Sequence, residues 1–157
     1  MKTNTWITSM TPLVIGAALA VISTSAIGQQ GSGNKMSVWS GVYTAAQAKR
    51  GEAVHAGACV SCHGRRLNGA GEPDMPASPG IAREGFLRKW AGKPVAELFV
   101  YVRTKMPPDT PGKLTDQEAI DAVAHMFAVS DIPTGDKELP SDARALADFL
   151  IEVQPKK

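Results

Sequence analysis

Cys59 and Cys62 are the only cysteines in the 157 residues, and His63 follows the second one directly. A Cys-x-x-Cys-His run reads as the attachment site of a c-type haem. Each thiol can add to a vinyl group of the ring and form a thioether. The imidazole of the next residue is placed to give a nitrogen to the iron. A chain that encloses so large a flat group gains its core partly from that group. This allows longer loops than 157 residues of protein would otherwise keep ordered.

Two other readings of the pair compete with haem. A single close pair in an exported protein can form a disulfide, which leaves His63 without a role. A structural zinc site wants about four ligands. Cys59, Cys62 and a spare histidine make three, with no second cysteine pair to complete the set. A thioredoxin-like redox motif wants a strand–turn–helix setting, whereas here the pair follows a helical pattern.

The start of the chain reads as a secretory signal over residues 1–28. Lys2 gives a positive start, residues 13–22 are apolar, and Ala26-Ile27-Gly28 offers a small-x-small cleavage site. The competing reading is an uncleaved anchor, for which the apolar run is short of the ~20 residues a spanning helix needs. The expected organisation is a signal over 1–28, a flexible Gly- and Ser-rich leader over 29–41, a domain over 42–153 and a tail over 154–157. The expected location is therefore the periplasm, with no membrane span once the signal is cut. Without Lys2 the chain carries 16 basic and 15 acidic residues, but unevenly placed. Residues 63–107 hold eight Lys/Arg against four acids, while residues 108–157 hold five against ten. The basic stretch is expected to surround the haem. No basic run or nucleic-acid module is visible, which excludes that partner class.

The pattern is that of an all-α domain of about four to five helices. Thr44 and Gln47 form a capping-box pair ahead of a helix over 45–58, which delivers Cys59 at its end. Residues 65–82 are Gly- and Pro-rich loop. A short helix is expected over 85–91. Pro94 suits the first position of the next, which runs to about Thr104 with Val95, Leu98, Phe99 and Val102 on one face. Thr115 and Glu118 open a helix to about Val129. Ser141 is expected to cap a last helix with Leu146, Phe149 and Leu150 inward. No strand alternation is evident.

From Val38 to Val153 the chain resembles the class I c-type cytochromes with a single haem. More narrowly, it is similar to the cytochrome domains and subunits that accompany exported bacterial quinoprotein dehydrogenases. The pieces that carry the resemblance are Trp39-Ser40-Gly41-Val42-Tyr43-Thr44, the run from Cys59 to Gly64, Phe86-Leu87 with Trp90, Met106-Pro107-Pro108, Gly112-Lys113-Leu114-Thr115, and residues 132–135. The resemblance implies one covalent haem c packed among the helices. It also implies a distal iron ligand from the Met-Pro-Pro motif, which is Met106. Met106 also has a physical merit, because two following prolines restrict the backbone that presents its thioether. The competing reading is a loop methionine filling a gap. Met75 is the second choice, only 12 residues past His63. Met36 falls in the leader, and Met126 inside a helix suits the core.

A metal-bound histidine donates its other N–H to an acceptor. The resemblance implies a proline carbonyl for this, with Pro79 the best match and Pro76 the alternative. Trp90 could donate its indole N–H to a haem propionate or be a core aromatic. Arg65, Arg66, Arg83 and Arg88 are further propionate candidates or solvated cations. Leu67, Leu98, Phe99 and Tyr101 suit haem packing or ordinary core. The chain departs from the family pattern at His55 and His125, where family members often carry aromatic rings in the first and a later helix. If those helices cross as the family's do, the two imidazoles face each other. Either they replace a ring contact or they form a pH-sensitive joint.

With His63 and Met106 both bound the iron has no open position. The expected activity is outer-sphere transfer of single electrons, without catalysis, from a dehydrogenase towards a cytochrome or terminal oxidase. The alternatives are a haem enzyme or ligand sensor in which Met106 is displaceable, and a fixed relay subunit of a dehydrogenase complex.

Overall fold

The computed structural model describes residues 35–70, 73–75 and 78–154. The expected signal over 1–28, the leader up to residue 34, Pro76 and the last three residues of the tail lie outside the described residues.

Among the described residues the protein is mostly helical, with six helices: α1 Ala45–Ala58, α2 Val60–His63, α3 Arg83–Trp90, α4 Val95–Lys105, α5 Asp116–Val129 and α6 Ala143–Leu146. Two of them, α2 and α6, are single turns, so the four longer ones carry the architecture. Helix α1 packs along α5, and α4 packs on α5 and α6. The expected inward face of α4 is the buried one: Val95, Leu98, Phe99 and Val102 are each at most 4% exposed. Pro94 sits at the N-cap, one place ahead of where the sequence suggested.

Both capping pairs start helices, but only one closes as a box. At α5 the Thr115 hydroxyl accepts from the Glu118 amide, and the Glu118 carboxylate accepts from the Thr115 amide at 2.7 Å. Those bonds to Thr115 hold the Glu118 carboxyl below its ordinary range. At α1 the Thr44 hydroxyl accepts from the Gln47 amide at 3.1 Å. The Gln47 side chain does not return the bond. It is fully buried and bonds both backbone groups of Leu139, at 2.9 Å each way. A buried amide must satisfy donor and acceptor together, and a backbone N–H and C=O in one residue do so. Gln47 thus pins the 131–140 loop to α1.

The fold begins before Val42, inside what the sequence presented as leader. Met36–Ser37 forms a two-residue strand, β1, parallel to β2, Phe149–Leu150. Val38 is fully buried, and the Trp39 indole N–H donates to the Glu152 carbonyl at 3.1 Å. Strands this short show no alternation for a sequence pattern to display. At the other end Asp142, not Ser141, caps the last helix, accepting from the amides of Arg144 and Ala145. That helix stops at Leu146 because the chain turns extended to join β1. Ile151 is fully buried, whereas Phe149 and Leu150 are half-buried.

Tyr43 ties the start of the domain to its far loop. Its hydroxyl donates to the Ile132 carbonyl at 2.5 Å, and its ring tilts against Phe127 with centroids 6.3 Å apart. Burial first, and then the charge of Asp131, pushes the phenol up to about 12, so it stays a donor throughout the neutral range. Tyr43→Phe keeps the ring and strands the carbonyl. The expected cost is about 1–2 kcal/mol in denaturant unfolding. An unchanged midpoint would show that the bond contributes little.

Candidate functional site

Helix α1 ends where α2 begins, and this junction sets the site. Cys59 is at once the C-cap of α1 and the N-cap of α2, and its amide still bonds back to His55 at 3.0 Å. One turn of α2 then places Cys62 and His63, all three side chains half-buried. Gly64 ends the turn at φ 73, a left-handed backbone that side chains disfavour. A Cβ there would also lie 2.2 Å from the Ala70 carbonyl oxygen.

These residues open onto a cavity of about 730 Å³, within the rough range of 300–1,000 Å³ for cofactor sites. One wall is the small-residue face of α1, with Ala53, Val54, Gly57 and Ala58. Opposite elements contribute Phe86 and Trp90 from α3, Leu98 and Tyr101 from α4, and Leu114 and Met126 around α5. Met106 closes α4 in extended conformation, its amide held by Val102 at 3.2 Å, and it too lines the cavity.

The histidine is oriented as the sequence suggested. The His63 Nδ1 lies 2.9 Å from the Pro79 carbonyl oxygen. A carbonyl can only accept, so the proton sits on Nδ1 and the Nε2 lone pair is left for a metal. The two thiols are not joined to each other. Burial, and then the neighbouring Cys62, pushes the Cys59 thiol up to about 11, far from a thiolate metal ligand. Among the described residues no group of three or more His, Cys, Asp or Glu is arranged to hold a metal ion. The donor set therefore does not suit zinc. Two unpaired thiols and one oriented imidazole at the rim of an apolar cavity do suit a covalently held haem c.

Three methionines line this cavity, not one. Met106 is half-buried, Met75 is 40% exposed in its loop, and Met126 is 6% exposed on α5. The placement of Met126 was missed, because its helical spacing reads as core and it belongs to both. Trp90 lines the cavity, edge-on to Tyr101 with centroids 5.9 Å apart, with the Lys93 ammonium 5.2 Å from its ring centre. Leu98 and Tyr101 line the cavity, but Leu67 and Phe99 are core residues away from it. None of the four arginines suggested for propionates lines it. Arg88 pairs with Glu84 at 2.6 Å, and Arg83 donates to the Arg66 carbonyl. The lining cations are Lys89 and Lys113, so only one comes from the basic stretch 63–107. The small face made by Ala53 and Gly57, four residues apart, is the sequence signal that could have marked the α1 wall.

His55 and His125 do face each other, with ring centroids 5.4 Å apart and planes tilted by 39°. They lie between α1 and α5 and do not line the cavity.

Among the described residues no helix is long and apolar enough to cross a membrane. No curated protein and no solved structure matches the chain. A family model does, over residues 46–126, just over half of the sequence, a span that takes in α1, the Cys59–His63 run, Met106 and most of α5. The chain therefore belongs to the family described as cytochrome c oxidase, cbb3-type, subunit III, and is a class I c-type cytochrome whose haem c domain serves electron transfer.

Proposed function

We propose that the protein is an exported monohaem cytochrome that passes single electrons from a quinoprotein-type dehydrogenase towards a terminal oxidase. His63 and Met106 are its iron ligands. The observation that carries this reading is the pairing of His63, oriented by the Pro79 carbonyl, with a half-buried Met106 on the same cavity. The bound haem supplies a one-electron ferrous/ferric couple. Thioether ligation favours the ferrous state relative to more donating ligands. The protein's own part is to fix both ligands on rigid ends: His63 on the last residue of α2, Met106 at the C-cap of α4. With His63 and Met106 both holding the iron, the bound haem would keep no place for a substrate and would supply electron transfer alone.

The cavity rim suits a redox partner. Tyr101 lines the cavity and is 45% exposed. Lys89 and Lys113 line the opening and have no ion pair among the described residues. Cations beside an exposed aromatic ring favour a brief encounter with an acidic face, weakened by salt. The export signature in residues 1–28 and the attachment motif together support a periplasmic location.

The test is the absorption spectrum of the purified exported protein, oxidised and reduced. One haem per chain, a weak sulfur-to-iron charge-transfer band at the red edge of the oxidised spectrum, and no carbon monoxide binding are expected. A missing band with ready carbon monoxide binding would mean an open iron, and with it a ligand sensor or haem enzyme. A fixed relay subunit is a second reading, favoured by the matched family's description as an oxidase subunit. Co-purification with a larger subunit separates it from a free carrier.

A further inference from the structure

We infer that the facing imidazoles of His55 and His125 are an acid-sensitive latch across the α1–α5 crossing, holding the Met106 side of the cavity closed at neutral pH and loosening it when both rings carry a proton. The inference rests on the ligand reading proposed above. His55 is 6% exposed, and its Nε2 is buried without a hydrogen-bond partner. Its ring lies against that of His125. One turn earlier on each helix the backbones nearly touch: a Cβ on Gly51 would lie 1.8 Å from the Asp121 carbonyl oxygen. His125 is only half-buried, but its Cβ is fixed one turn beyond so tight a contact, so repulsion between two charged rings bears on the helix crossing.

The groups around the pair set the direction. From α1, the Glu52 carboxylate favours a proton on either ring, but it is solvent-exposed and paired with Lys49 at 2.6 Å. Lys49 itself opposes a proton on His125. Beyond α2 the Gly64 backbone favours the proton on His55, while His63 opposes it. On α5, Asp121 is occupied by Arg50 and Gln117, with Arg50 Nε at 2.8 Å. Burial outweighs the favourable groups, so both rings sit below the ordinary histidine value, and the charge of His55 lowers His125 further. A base whose folded value is depressed contributes stability that is full above its unfolded value of about 6.5 and is lost as pH falls through the lowered one.

The latch reaches the ligand loop through α5. Asp116, at its first turn, pairs with Arg103 at 2.6 Å, and Arg103 also donates to the Gly112 carbonyl at 2.7 Å. Arg103 lies three residues before Met106, and Gly112 six after it. Met126, next to His125, lines the same cavity.

The experiment follows the oxidised full-length holoprotein from about pH 7 to about pH 5, the range in which histidine pairs titrate. It records the sulfur–iron band, the haem content and the unfolding temperature. The expected result is a reversible loss of the band on acidification with haem retained. His125→Phe, which restores an aromatic ring, should hold the band and the unfolding temperature to a pH about one unit lower. An identical acid midpoint in His125→Phe overturns the latch. So does finding, by proton magnetic resonance of the unaltered protein, that the two imidazoles titrate independently at the ordinary value. That second measurement decides the matter even if the variant fails to fold. A band absent at every pH overturns the Met106 assignment instead, and the unfolding temperatures of the two proteins against pH then decide the latch alone.

Discussion

Replacing Met106 by alanine is expected to remove the sulfur–iron band, let the reduced haem bind carbon monoxide and lower the reduction potential by on the order of a few tenths of a volt, within the ~0.8 V that axial ligands span. The thioether stabilises ferrous iron more than ferric, so its loss favours the oxidised state. Little of this effect should come from unfolding. The Met106 amide still bonds Val102, and the side chain is only half-buried. Two further methionines line the cavity, which makes the controls decisive. Met75→Ala should change neither band nor potential, since Met75 is 40% exposed in a loop. Met126→Leu should keep the band, because leucine fills the same wall between α5 and the cavity. If either control abolishes the band and Met106→Ala spares it, the ligand is that other methionine.

What the residues revealed in advance was what local chemistry fixes. Cys59, Cys62 and His63 are adjacent, so one turn of helix brings them together whatever surrounds it. Pro79 followed from the needs of a bound imidazole and a family pattern, and its carbonyl is at hydrogen-bond distance. The α5 capping box involves residues three apart and closed as read. The larger differences concern distant partners, whereas the shift of the last cap from Ser141 to Asp142 is local. Gln47 was assigned to its own helix start because local pairing is all a sequence displays, whereas a loop 92 residues away claims its amide. Met36–Ser37 looked like leader because its partner strand lies at the other end of the chain. For the arginines offered as propionate partners or solvated cations, sequence shows charge but not position. Salt bridges and backbone acceptors engage two of them, and the lining cations are Lys89 and Lys113. Met126 shows that one helical position can face a core and a cofactor site together, a distinction that 3.6-residue periodicity does not carry.

The contact that makes these distant pieces cohere is the α1–α5 crossing, and Gly51→Ala is expected to damage stability severely for so small a change. An added Cβ would lie 1.8 Å from the Asp121 carbonyl oxygen, 2.5 Å from its carbon and 2.9 Å from the His125 Cβ. The first two are backbone atoms of a buried helix and cannot swing aside, so the helices must separate. Overpacking of this kind costs about 3 kcal/mol or more, against roughly 1 kcal/mol of helix propensity that alanine adds. At about 4 °C per kcal/mol for a domain of this size, the net loss is on the order of 10 °C in unfolding temperature. Gly85 in α3 supplies the contrast, because it is exposed and a Cβ there meets nothing within 4 Å. Gly85→Ala should stabilise by about 0.5–1 kcal/mol. Separation at Gly51 also pulls α5 from the helix that carries Cys59, so the Gly51→Ala protein should show a weakened sulfur–iron band at neutral pH where Gly85→Ala shows none of that loss. Equal stability of the two variants would mean that α1 and α5 do not cross at Gly51.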